Sequence, residues 1–227
     1  YGSMCTSQCE IGAWCGDGKL DAAFETCDLG AHNGTDVGDA QGILCDPACN
    51  ALRRRGFITS QAFAGNLGGL FGADKKCQHA AQNSGISGHE RFRAYLSTSA
   101  VHAKDRFPDS PPSWPLVLIT GKKFADSWTA LLAHGPTGEG ISVTELGTVV
   151  HNKLVATDTA PGGLRFSPVD HCLDWTSASA DQSGRVGRSG VAMDAPDFAA
   201  WQANQWWTNF ATSFCDEPIF HLYCIES

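Results

Sequence analysis

Between Lys75 and Asn83 neither proline nor glycine interrupts the chain, and Cys77, Ala80 and Ala81 fall at i, i+3 and i+4. That spacing predicts a short helix with one small, apolar face. Gly85 and Gly88 stop it, after which Phe92, Ala94 and Leu96 alternate with Arg91, Arg93, Tyr95 and Ser97, the two-residue period of a half-buried strand. Around this unit, Phe57-Ile58-Thr59 reads as a first strand, and the run from Gly65 to Leu70 as a turn leading into the helix. Leu116 to Ile119 forms a short apolar run, predicting a buried strand, and Asp126 or Ser127 opens a second helix carrying Trp128, Leu131 and Leu132. Thr144 to Val150 predicts a further strand, Thr157 to Gly163 an exposed loop, and Ile219 to Ile225 a closing strand that carries Cys224 into the core. Thr176 to Asp197 is rich in Ser, Gly, Ala and Asp and reads as a long variable loop. Trp114 and Trp128 read as core.

The first 50 residues break this pattern. They hold six of the ten cysteines, with abundant Gly and Asp and few large apolar residues, so crosslinks or a metal must supply the stability that a small core cannot. Asp17, Glu25, Asp28, Asp36 and Asp39 offer hard oxygen ligands that suit Ca2+, although their spacing does not match an EF-hand loop. The competing expectation is that these acids cap turns. Arg53-Arg54-Arg55 reads as a junction that is solvated or salt-bridged to the acidic head, with contact to a polyanion as the competing expectation. The organisation expected is therefore an acidic module over 1–50, a basic junction over 51–55 and a larger domain over 56–227.

Charge sharpens that division. The formal net charge is −8, and residues 1–50 set Lys19 against eight carboxylates, so nearly all the acidity lies in the head. Nucleic acid, which needs a basic face, is excluded as a partner. An even, high cysteine count fits an oxidising, extracellular or cell-surface compartment. No apolar run approaches the roughly 20 residues of a membrane span, so insertion is not expected; no signal peptide is recognisable, and the chain is expected to begin after one.

Several landmarks occur in a telling order: Gly72-Ala73-Asp74 before Cys77, Phe92-Arg93-Ala94 with Leu96-Ser97, and Pro115-Leu116-Val117. Ser127-Trp128 with Leu131 follow, then Cys172 with Trp175, and Cys215 with Leu222-Tyr223-Cys224-Ile225-Glu226. Over about three quarters of the chain this set resembles endostatin and bacterial endostatin-like domains. The resemblance implies an α+β, C-type-lectin-like fold: a twisted, mostly antiparallel sheet with one or two helices and long loops. It also implies nested disulfides, Cys77 with Cys224 and Cys172 with Cys215. Cys15-Gly16-Asp17-Gly18, Glu25-Thr26-Cys27-Asp28-Leu29-Gly30, Cys45 and Cys49 resemble a cysteine-rich repeat of secreted myxobacterial proteins, departing from it at Leu29 and in a longer stretch from Val37 to Leu44. The pairing of Cys5, Cys9, Cys15, Cys27, Cys45 and Cys49 stays open.

Catalytic constellations are sparse. There is no Gly-x-Ser-x-Gly elbow and no His-Glu-x-x-His, and only Asp170-His171 with His102 or His151 offers an acid–base set, if the fold converges them. A non-catalytic recognition or adhesion module for a glycan or extracellular protein is the function expected. A spacer in a surface array, or a secreted hydrolase, are the alternatives. The binding face expected is Trp201, Trp206 and Trp207 with Arg185 and Arg188, since indole faces stack on sugar rings or other aromatic groups. The opposing expectation buries two of the three indoles.

Overall fold

The computed structural model describes residues 14–35, 38–39, 43–107, 113–190 and 205–227. It forms two compact units, Tyr1–Arg53 and Arg54–Ser227.

In the first unit β1 (Leu44–Cys45) and β2 (Ala51–Leu52) pair antiparallel. Disulfides Cys15–Cys49 and Cys27–Cys45 fasten the surrounding turns, doing the work of a core in a segment with few buried apolar residues.

The second unit contains β3 (Arg54–Ile58), α1 (Gly69–Asn83), β4 (Phe92–Ala94), β5 (Leu116–Leu118), β6 (Lys123–Ala125) and α2 (Trp128–His134). It continues with β7 (Leu154–Ala156), β8 (Ser183–Arg188), β9 (Ala211–Phe214) and β10 (Tyr223–Glu226). One five-stranded sheet has the order β4-β10-β3-β5-β6, antiparallel except for the β3–β5 pair. A three-stranded antiparallel sheet has the order β7-β8-β9. The fold is therefore α+β, with few helices, two mainly antiparallel sheets in this unit and four disulfides among the described residues.

Alternation along the central strands serves two cores. Phe57, Phe92, Ala94, Leu222 and Cys224 pack on one side with Ala73, Cys77 and Ala81 of α1, whereas Ile58, Tyr95, Tyr223 and Ile225 pack on the other with Phe107, Trp128 and Trp207. Tyr95 and Ser97 are thus buried, not the polar edge of a half-buried strand, because both sheet faces are covered. Cys77–Cys224 ties α1 to β10 across 147 residues, and Cys172–Cys215 closes a second loop. The longer crosslink contributes up to roughly 4 to 5 kcal/mol in chain-entropy terms.

The structure departs from the sequence-based expectations in several other places. Helix α1 begins at Gly69, before the expected Lys75: the glycines that read as a turn supply its first turn, with Gly72 N–H donating to the Gly68 carbonyl. Arg54 and Arg55 are not a solvated junction. Arg54 is buried with its guanidinium over Trp128, and Arg55 pairs with buried Glu226 at 2.6 Å, as does Arg91 at 2.9 Å. Thr157, Asp158 and Thr159 are fully buried, since Ser97 N–H donates to Thr157 O and the N–H groups of Thr157 and Asp158 both donate to Arg185 O. Within the expected variable loop lies β8, the middle strand of the small sheet. Its apolar signal is weak because Gly184 lies under the Trp175 indole and Gly187 against the Trp207 backbone, where any Cβ would collide.

Candidate functional site

A groove of about 510 Å³, open to solvent, lies along one side of α1. Its volume falls in the range of roughly 300–1,000 Å³ typical of small-molecule sites. Lys76, His79, Ala80 and Asn83 form its helical wall, succeeding one another at i, i+3, i+4 and i+7. The adjoining stripe of the same helix, Ala73, Cys77 and Ala81, is buried and crosslinked to β10, so the wall is held rigidly.

Thr59, Ser60, Gln61 and Phe63, just beyond β3, form the second wall. Each is pinned: Thr59 N–H donates to Leu222 O at 2.9 Å, and Phe63 exchanges backbone hydrogen bonds with Phe220 at 2.8 and 2.9 Å. His221, largely buried behind this wall, has one acceptor facing its Nδ1, the Thr59 carbonyl at 2.7 Å, which fixes the tautomer with the proton on Nδ1. Burial pushes the His221 pKa down, so the ring stays neutral at physiological pH.

The third side is a turn where a strand is expected from Thr144 to Val150. Val143 bridges Val149 and Gly147 N–H donates to Thr144 O at 2.9 Å, with Gly147 at φ 78°, a left-handed position that glycine occupies without strain. The turn brings Glu145 and Leu146 to the groove. Glu145 is buried; one carboxylate oxygen accepts from Ser60 N–H at 2.8 Å and the other from Ser60 Oγ. Leu146 is 67% exposed.

Hydrogen-bonding capacity is unevenly spent across this lining. Among the described residues the side chains of Gln61, His79, Asn83 and Ser84 make no hydrogen bond, and the Lys76 ammonium has no ion pair, only the Phe63 ring 4.9 Å away. Thr59, Ser60 and Glu145 are instead tied into the wall. The arrangement can bind a polar ligand through several free donors and acceptors beside two apolar surfaces.

The residues singled out from sequence are placed differently. Trp207 is a core residue, 2% exposed and stacked on Tyr95 at 5.0 Å, so its indole is not available as a ligand platform. Trp206 packs edge-on against Phe210, and the Arg188 guanidinium lies 5.0 Å from the same ring. Arg185 lies 4.2 Å over Phe166 and donates to Asn209 and Thr212, so its ring stacking and two of its five N–H donors serve the fold. Trp201 and Asp36 lie outside the described residues. In the head, carboxylates of Asp17, Glu25, Asp28 and Asp39 each accept a backbone N–H, from Lys19, Asp21, Gly16 with Gly30, and Ile43. Those bonds and Asn33 Nδ2 hold the Asp28 pKa down despite the desolvation that opposes them. Cys15 and Cys49 approach Glu25 in ligand-like fashion, but their sulfurs are joined to each other and offer no thiolate.

The histidines weighed for acid–base chemistry are individually engaged or exposed. His102 Nδ1 accepts from Arg165 N–H, His171 Nδ1 accepts from Asp174 N–H with Nε2 on Pro168 O, and His151 is exposed. The groove residues carry one legible signal in the sequence, the polar spacing Lys76, His79, Asn83 beside the apolar stripe of the cysteine-bearing helix. Nothing local to Ser60 or Glu145 announces their pairing, because 85 residues separate them.

Compared with protein-family models and with curated proteins, the chain matches none. Among the described residues, no helix is long and apolar enough to cross a membrane.

Proposed function

We propose that this chain is a secreted or surface-displayed, non-catalytic recognition protein whose C-terminal unit, of endostatin-like and hence C-type-lectin-like fold, binds an extracellular glycan or protein in the groove along α1. The observation that carries this reading is the convergence of five polar side chains with unspent hydrogen-bonding capacity on a concavity whose walls are fastened by Cys77–Cys224 and by backbone ladders. Preorganised walls bind without the entropic cost of ordering them. Four disulfides fit an oxidising compartment. The separate engagement of His102 and His171 favours binding over hydrolysis, since each is committed to a local backbone partner. The test is an array of glycans and matrix proteins probed with the full chain, and again with N83A and Q61A. Retention of at least one ligand class by the wild type, weakened in both variants, is expected. A uniform background would reject the proposal in favour of a spacer.

A further inference from the structure

We infer that the groove takes a sugar residue bearing a single carboxylate, a uronic acid or its chemical equivalent, with the carboxylate on Lys76. The inference rests on the recognition reading above and specifies its ligand.

The lining decides the class in three steps. First, Gln61, His79, Asn83 and Ser84 present amide, imidazole and hydroxyl groups with free valences around one open cleft. A ring carrying several hydroxyls, each both donor and acceptor, satisfies such a mixed set, whereas an apolar ligand leaves it desolvated and unpaired. Leu146, two-thirds exposed at the rim, gives the C–H face of the ring an apolar surface. Second, the two charges at the groove are unequal in what they still need. Glu145 holds two hydrogen bonds from Ser60 on its two oxygens, so it remains an acceptor for a ring hydroxyl and has no call for a ligand cation. Lys76 has only the Phe63 ring beneath its ammonium, and among the described residues no carboxylate within ion-pair distance. An anionic ligand group supplies the missing partner, and charge-assisted bonds are the strong ones. Third, the same Glu145 limits the anion to one. A densely sulfated chain would bring several negative charges against a buried carboxylate, which like-charge repulsion opposes.

The experiment is an NMR titration of the full chain with methyl glucuronide, with methyl glucoside as the neutral isostere and a sulfated heparin-type oligosaccharide as the polyanion. The proposal expects shifts in the His79 ring and the Gln61 and Asn83 amide resonances, with methyl glucuronide binding about tenfold or more tighter than methyl glucoside, the ratio one charge-assisted hydrogen bond supplies. K76Q, which keeps the stem and removes the charge, should abolish that ratio. K75Q, on the neighbouring exposed position where Lys75 bonds Gln78, should leave it unchanged. Native amide dispersion in each variant certifies its fold.

Equal affinity for the two methyl glycosides, a ratio unchanged in K76Q, or tighter binding of the sulfated oligosaccharide at the same resonances would each overturn the inference while leaving a groove that recognises ligands. Silence of those resonances with all three sugars also overturns it. The array then separates the two readings: ligands lost in N83A and Q61A keep the recognition proposal, and a uniform background rejects it as well.

Discussion

Asp158 is fully buried, at the end of the segment that the β8 backbone draws inward. Its Oδ1 accepts from Ser167 N–H at 3.0 Å, whereas Oδ2 has no hydrogen-bond partner. Burial pushes its pKa up to about 7, and the Asp170 charge adds to this; the Ser167 N–H, Arg165 and Arg185 oppose it. With an ordinary carboxylate value of 3.8 in the unfolded chain, the sign follows. At acid pH both states hold the proton and the ionisation of Asp158 costs nothing. Between about pH 4 and 7 the unfolded chain has released its proton and the folded chain has not, so stability falls as pH rises. Above that window the full penalty applies, on the order of 4 kcal/mol. D158N keeps the shape and the Ser167 acceptor but removes the titration. Its amide NH2 leaves about 1–3 kcal/mol of unsatisfied donor in place, so the net gain at pH 8 is roughly 1–3 kcal/mol. Urea unfolding of both proteins from pH 4 to 8 is the assay, because the difference between them cancels His221 and every other titrating group. The difference should move in favour of D158N through this window and then level off. Parallel pH profiles would refute the reasoning.

Arg106 is buried and binds both carboxylate oxygens of Asp74 through one Nη at 2.7 and 2.8 Å, also donating to the Ala94 carbonyl, so R106M should cost about 3–5 kcal/mol in urea unfolding by stranding Asp74. Cys172, Leu173, Asp174 and Trp175 all have positive φ, from 49° to 62°, held by a disulfide, the buried Trp175 and the Asp174 bonds to Ser99. At the exposed Leu173, glycine relieves left-handed strain of roughly 1–2 kcal/mol against its own entropic cost, so L173G should raise the melting temperature by about 2 °C. In the head, calorimetric titration with millimolar Ca2+ after chelation tests Asp17, Glu25, Asp28 and Asp39: a saturable heat would support a calcium site there, and a flat trace would leave these carboxylates as acceptors for the turn N–H groups they already bind.

Local patterns in the chain locate the elements whose signal is carried by near neighbours. The Cys77-Ala80-Ala81 stripe marks α1, the Leu116–Leu118 run marks β5, and Ser127, whose Oγ accepts from Ala130 N–H at 3.0 Å, marks the start of α2. What the chain hides depends on distant partners. Strand β8 reads as a loop because its glycines fit beneath Trp175 and Trp207, which come from elsewhere in the sequence. Thr157–Thr159 reads as exposed because the partners of its two threonine hydroxyls, Thr208 and Ser97, lie far away in the sequence. The aromatic cluster misleads for a related reason: neighbouring tryptophans part company, Trp207 entering the core on Tyr95 and Trp206 lying against Phe210. The groove escapes notice because its three walls come from residues near 60, 80 and 145, and no short motif records that meeting.

The most direct test of recognition along α1 is a backbone amide footprint of the full chain with the strongest binder from the array. The account predicts perturbations centred on Thr59–Phe63, Lys76–Ser84 and Glu145–Leu146. A footprint confined to Arg185, Arg188 and Trp206, with those groove amides unmoved, would contradict it.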